Sequence, residues 1–290
     1  MNGEGGPVSG ESGPRGSSDL KVRAISALVM IAVALGALWA GGWVFAVVVA
    51  LAVALVMLEW ATMSGPFATR MADKAAVGFV AISVVASYNQ PSVSLFALGA
   101  VALGMAMFGV IDPRMRWLAG GILYAGAPGV AAVALRGTAA AGAASTGLFA
   151  IAFVFLVVWA TDSAAYFAGR RFGGPKLMPR FSPKKTWSGA FGGATAALCV
   201  GLLAGAVIDG SSSIVLAVIA IALSIVSQIG DLGESAMKRH FNVKDSGRLI
   251  PGHGGIMDRV DGLVVALTLA AAIGLVRSGG TDAAGGLLLW

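Results

Sequence analysis

Residues 235–261, SAMKRHFNVKDSGRLIPGHGGIMDRVD, gather five cations, three carboxylates, two histidines and four glycines in a chain that is 57% hydrophobic and only 12% charged. Asp231 and Glu234 lie three apart just before this segment, and Asp258 and Asp261 lie three apart at its end. That spacing sets each pair on one face of a helix. Four carboxylates that converge with nothing between them repel one another, and a hard divalent cation held by oxygen ligands relieves the repulsion. The cluster therefore points to a polyphosphate held through a metal, with magnesium bridging a nucleotide's phosphates as the natural occupant.

The glycines of the PGHGG run, Gly252, Gly254 and Gly255, allow backbone to approach phosphate oxygens just ahead of a helix N-terminus that favours anions. His253 between them has the chemistry to donate to a phosphate or polarise a leaving group, and a plain turn histidine is the bland alternative. For Asp258 and Asp261 the bland alternative is capping of their own first helical turn beside Arg259. Asp231, read as lying near a helix C-terminus, is opposed there by the dipole and needs a partner or a metal. Glu59 ends another apolar run and is read as snorkelling to the interface, while His240 is read as an interfacial surface residue. Asp162, with Tyr166 one turn on, is too expensive to face lipid and points to the same region.

A second basic connection, residues 170–188, reads RRFGGPKLMPRFSPKKTWS, with six cations and no acid. Lys184 and Lys185 follow Ser182 and Pro183 and precede Thr186 and Trp187. Lysine binds phosphate as a compact charge, and a tryptophan at this depth anchors a loop among lipid headgroups. A polybasic segment held by anionic lipid is the simpler account of the loop alone.

The elements that must position these residues are membrane helices. A mean hydropathy of +0.85 and the 57% hydrophobic content exceed what a water-soluble core of 290 residues can hide. Lipid cannot satisfy backbone amides, so apolar runs of about 20 residues must be helical. Nine segments qualify, at about 24–40, 43–61, 75–88, 92–111, 117–135, 146–169, 190–208, 212–234 and 259–276. The expected fold is all-α and polytopic, with about nine transmembrane helices. With nine spans, 18 of the 20 cations fall on the side of the N-terminus, leaving only Arg136 and Arg277 opposite. This bias predicts a cytoplasmic N-terminus and a C-terminal tail, residues 277–290, on the other side. Both basic connections, 170–188 and 238–257, then emerge on the cytoplasmic face.

Residues 1–20, rich in Gly, Ser, Pro and Glu, have no apolar core of a secretory signal and are expected to form a disordered cytoplasmic tail. Residues 21–145 form an N-terminal set of helices and 146–276 the catalytic set. Cys199 is the single cysteine, in an apolar run, which leaves neither a disulfide framework nor a cysteine metal site and predicts a buried core residue. The net charge of +6 reflects loops facing anionic lipid, so no nucleic acid is implied.

The segment from 235 to 261 also resembles, nearly position for position, the signature of the CDP-diglyceride synthetases, the phosphatidate cytidylyltransferases. The match runs through Ser235, Lys238, Arg239, Lys244, Asp245, His253, Gly254, Gly255, Asp258, Arg259 and Asp261. Residues 161–193, TDSAAYFAGRRFGGPKLMPRFSPKKTWSGAFGG, and 228–235, QIGDLGES, are similar to the same family. Together they cover roughly the C-terminal 40% of the chain, and Ser188 stands where the family usually has a glutamate. The resemblance implies transfer of CMP from CTP to phosphatidic acid in a membrane, giving CDP-diacylglycerol and pyrophosphate in phospholipid biosynthesis. It implies Asp231, Asp258 and Glu234 as metal ligands, with Asp261 as a further ligand or orienter, and Lys238, Arg239 and His253 in the catalytic set. Lys244, Asp245, Arg248 and Arg259 would serve the nucleotide, and Ser182, Lys184, Lys185 and Asp162 the lipid phosphate. Dimerisation to a homodimer is suggested by the resemblance alone. The compact chain without a targeting signal leans towards a bacterial plasma membrane. The DG, AR and GxxxD-type pattern of the CDP-alcohol phosphotransferases is absent. An ion-coupled transporter using the acidic site at the cytoplasmic helix ends is the rival of a different class, against the usual transporter arrangement of acids near the midplane and repeated halves.

Overall fold

The computed structural model describes residues 15–65, 71–138, 145–247, 249–250 and 254–290, the first nine of these as backbone only. The elements are α1 (Arg15–Ala40), α2 (Gly42–Met63), α3 (Met71–Ala86), α4 (Pro91–Phe108), α5 (Arg114–Arg136), α6 (Thr146–Phe172), β1 (Lys176–Met178), β2 (Ser182–Thr186), α7 (Trp187–Val207), α8 (Ser213–His240), α9 (Met257–Arg277) and α10 (Ala283–Leu288). Each of the nine apolar segments coincides with one of α1 to α9. Among the described residues, seven helices, α2 and α4 to α9, are long and apolar enough to cross a membrane. The apolar part of α1, Ala24–Ala40, is shorter, and α3 has 16 residues, about 24 Å of helix against a hydrocarbon core of about 30 Å. The protein is an all-α polytopic membrane protein.

The helix termini collect at two ends. At one end Ser87, Arg136, Ser145 and Ala284 line a common cavity, and Ser211 Oγ donates to the carbonyl of Leu288 at 2.7 Å. At the other end lie the C-termini of α2, α6 and α8 and the N-termini of α7 and α9, with every charged group of the site described below.

Close approach through small residues holds the bundle together, as expected where lipid offers no hydrophobic drive between helices. The central helix α5 packs on α2, α3, α4, α6 and α9. Its Gly126 lies so close to Leu98 that a Cβ would fall 2.6 Å from Leu98 Cδ2. At the site end, Arg114 of α5 pairs with the fully buried Asp73 of α3 at 2.6 Å and donates to the carbonyl of Ala61 at 3.2 Å, which ties α2, α3 and α5 together.

Several expectations are corrected. Residues 15–20 of the expected disordered tail are helical, as the start of α1, and residues 1–14 lie outside the described residues. The 170–188 connection is not plain loop: α6 continues to Phe172, β1 and β2 pair antiparallel, and Trp187 and Ser188 open α7. The 238–257 connection begins later than expected, because α8 runs to His240 and carries Lys238 and Arg239 in its last turn. The 277–290 tail contains α10, which is buried against α9 and α6. Cys199 is exposed on α7 rather than buried, since the packed face of that helix is taken by Gly189, Gly193, Ala197 and Gly201.

Candidate functional site

The site assembles from four elements, α6, β2, α8 and α9, because two glycines draw α8 and α9 together. A Cβ on Gly230 would meet Val265 Cγ2 at 2.7 Å and the Asp261 carbonyl at 2.9 Å, and one on Gly262 would lie 3.2 Å from the Ser227 carbonyl. The helices therefore touch backbone to backbone where Asp231 follows Gly230 and Asp261 precedes Gly262. Asp261 consequently lies within electrostatic range of Asp231 and also of Asp162 on α6.

The hairpin delivers the cation. Gly173, with φ of +61°, ends α6, and its N–H donates to the Gly169 carbonyl at 3.0 Å. The Trp187 N–H donates to the Pro175 carbonyl at 3.1 Å, and Thr186 Oγ1 caps α7 by accepting from the Gly189 N–H at 3.2 Å. Ser188 at the departure from the family pattern donates to the Gly173 carbonyl, so a hydroxyl closes the base of the hairpin there. With both ends fastened, β2 points Lys185 at Asp231, and the two form an ion pair.

A second lysine serves the other acids. Lys238 Nζ lies 2.7 Å from Asp258 Oδ1 and 2.9 Å from Glu234 Oε1, the latter a charge contact without hydrogen-bond alignment. Glu234 is 1% exposed, and its Oε2 has no hydrogen-bond partner among the described residues. Asp258 also accepts from the Ser246 N–H at 3.0 Å and the Gly255 N–H at 3.0 Å. Asp258 thus holds the loop that precedes α9 rather than capping the first turn of its own helix. Asp261 accepts from the Gly262 N–H at 2.8 Å.

Two readings of acids change. Asp231 is not at a helix end: α8 extends more than two turns beyond it, so the dipole does not oppose it, and Lys185 is its partner. Glu59 does not snorkel. It is 2% exposed and accepts from the Ile256 N–H, the Met257 N–H and Ser246 Oγ, each at 2.9 Å. A carboxylate from α2 thereby caps α9, where otherwise unsatisfied N–H groups and the positive end of the dipole hold it.

The other expected residues are less engaged. Asp162 is accessible and lies within electrostatic range of Asp231 and Lys185. Lys184, Lys244, Asp245, Arg239 and Arg259 are exposed at the rim, Ser182 is half-buried in β2, and Arg239 Nη1 donates to the Val243 carbonyl at 3.4 Å. Arg248 and His253 lie outside the described residues. His240 is exposed and stacks on Trp117 at 4.8 Å, in keeping with a surface role. Sequence reasoning missed Ser246 and Tyr124. The Tyr124 hydroxyl on α5 is buried without a partner among the described residues and lies within electrostatic range of Glu234, Asp261, Asp231 and Asp258. Nothing in local pattern marks either residue.

The donor set consists of carboxylate oxygens, which suits a hard divalent cation. Among the described residues no three His, Cys, Asp or Glu side chains form a ready cage. The unpartnered Glu234 Oε2 is a buried acceptor in want of a neighbour.

The chain as a whole is similar to known proteins. The family model described as "Cytidylyltransferase family" matches residues 21–276. The chain is 42% identical over 262 residues to the phosphatidate cytidylyltransferase of Brucella suis biovar 1 (strain 1330), covering 89% of this chain and 94% of that protein. The phosphatidate cytidylyltransferase of Brucella melitensis biotype 1 has the same identity and coverage. That of Staphylococcus epidermidis (strain ATCC 35984) is 49% identical over 126 residues, 43% of this chain and 48% of that protein. With a family match from residue 21 to residue 276, and with its carboxylates and lysines brought to one end of the bundle, this chain belongs to the cytidylyltransferase family.

Proposed function

We propose that the protein is a phosphatidate cytidylyltransferase, which transfers CMP from CTP to phosphatidic acid and releases pyrophosphate. The observation that carries this reading is the interleaved charge cluster in which Lys185 pairs with Asp231 while Lys238 bridges Asp258 and Glu234. A transporter reading finds no support in the acids, which gather at one end of the bundle rather than at its middle.

In the proposed reaction an ionised oxygen of phosphatidate attacks the α-phosphorus of CTP. The bond from that phosphorus to the oxygen bridging the β-phosphate breaks, and the electron pair leaves with pyrophosphate. No proton need be removed from the nucleophile, so the protein's work is positioning and charge neutralisation. Asp231, Asp258 and Glu234 would hold magnesium, with Asp261 orienting it. Bound there, the ion supplies neutralisation of charge on the phosphate oxygens and a template for the in-line geometry. Lys238 is placed to exchange part of its carboxylate contact for a phosphate oxygen of CTP, with Arg239, Lys244 and Arg259 at the rim to gather the nucleotide. The β-hairpin would receive the lipid headgroup, a reading supported by its exposed Lys184 and by Lys185 turned to Asp231. The reading includes a cytoplasmic site end, supported by the bias of cations in the sequence, and a bacterial plasma membrane, supported by the bacterial relatives. A homodimer rests on the family resemblance.

Asp231→Asn and Asp258→Asn, purified in detergent and titrated with magnesium, test this assignment. Each is expected to lower turnover by about 10²-fold or more, the scale of losing one electrostatic element of an active site. A folded Asp258→Asn protein with wild-type turnover at every magnesium concentration would remove Asp258 from the metal site.

A further inference from the structure

We infer that Glu59, on α2 in the N-terminal half, is a positioning residue for the active site, acting on Asp258 through Ser246 and the first turn of α9. The inference rests on the proposed cytidylyl transfer and deepens it, because none of the sequence motifs that mark the site extends to α2.

Ser246 is the joint. Its hydroxyl donates to Glu59 Oε2 at 2.9 Å, while its N–H donates to Asp258 at 3.0 Å. One residue, 6% exposed, therefore reads the positions of both carboxylates. The Ile256 and Met257 N–H groups, immediately before Asp258, donate to the two oxygens of Glu59. Asp258 is thus fixed to Glu59 along two routes, one through Ser246 and one through the backbone of the turn that carries it.

Space around Glu59 is equally determined. A Cβ on Gly247 would lie 2.7 Å from Glu59 Oε1, and one on Gly255 would lie 2.5 Å from Oε2, so two glycines flank the carboxylate. The Gly255 N–H in turn donates to Asp258. Three donors, two of them N–H groups at the positive end of the α9 dipole, converge on this buried carboxylate. Exchange of one oxygen for an amide NH2 sets a donor against the donors already present. Asp258 would then lose its fixed orientation, and a displacement of about 1 Å in such a group lowers rate by about 10²-fold.

The test uses the full-length protein in detergent with Glu59→Gln, Ser246→Ala and the double variant. Expected is a fall in turnover of about 10-fold or more for Glu59→Gln, with a raised magnesium requirement and an unchanged KM for phosphatidate. The double variant should be no worse than the worse single one, because both act through one joint. Independently of activity, hydrogen exchange at the Ser246, Ile256 and Met257 amides should accelerate in Glu59→Gln while the amides of α6 and α7 keep their protection. Glu59→Asp, which keeps the charge, should recover part of the loss, and it takes the place of Glu59→Gln if that variant does not fold. Wild-type turnover and magnesium requirement in the folded variant, or losses that multiply in the double variant, would overturn the inference. Absence of turnover in the wild type would instead overturn the proposed function and leave the exchange result standing.

Discussion

Neighbouring lysines of the hairpin have different work, and the difference is one of direction. Lys184 is exposed, whereas Lys185 is half-buried against Asp231. Replacing Lys184 by alanine removes an outward charge worth about 1 kcal/mol towards an anionic lipid surface. A rise of about 5-fold in KM for phosphatidate is expected, with kcat unchanged. Lys185→Ala should leave KM nearly unaltered and lower kcat by about 10²-fold, because its charge stands inside the acidic cluster. Steady-state kinetics with both substrates varied separates the two, and equal effects would merge their roles. The sequence made Asp231, Asp258, Lys185 and Lys238 legible, since carboxylates and lysines at membrane depth have few bland explanations. It did not make Glu59 legible as a cap, because its partners on α9 lie 197 and 198 residues away. Ser246 was hidden for the same reason: a serine in a loop is unremarkable until both its neighbours are known.

At the scale of elements, the site depends on how closely α8 and α9 approach. Gly230→Ala would drive a methyl against Val265 and the Asp261 carbonyl, and backbone cannot give way as a flexible side chain does. Overpacking of this kind costs about 1–3 kcal/mol. Separation of Asp231 from Asp261 should accompany it, so turnover ought to fall further than thermal stability alone explains. Alanine at Gly233, where a Cβ would meet nothing within 4 Å, is the matched control and should behave as wild type in both assays. The helices themselves were predictable from hydropathy, because backbone in lipid has no other way to satisfy its hydrogen bonds. The β-hairpin was not: its three- and five-residue strands carry no alternating pattern that stands out from a basic loop. The extension of α8 through Lys238 to His240 escaped as well, since the charges of its last turn end the apolar run before the helix itself ends.

Across the whole molecule, the two ends of the bundle differ in kind. One holds the carboxylates, the lysines and the hairpin, and the other holds the buried Arg136, whose Nε donates to the Leu38 carbonyl at 2.9 Å. In a Cys199→Ala background, cysteine at exposed Lys244 should react with a membrane-impermeant maleimide only from the cytoplasmic side of sealed vesicles. Cysteine at exposed Thr281 should react only from the opposite side. Labelling of both from one side would refute the proposed orientation. The membrane class was readable from composition, whereas the approach of the N-terminal helices to the site was not, because hydropathy alone gives no partner. The central claim concerns bond breaking at the α-phosphorus, and its most direct test follows label from CTP into lipid with purified protein, phosphatidic acid and magnesium. Label at the α-phosphate should enter the organic phase as CDP-diacylglycerol, and label at the γ-phosphate should stay in water as pyrophosphate in equal amount. A folded protein that moves no α-label into lipid, or that moves γ-label there instead, would contradict the account.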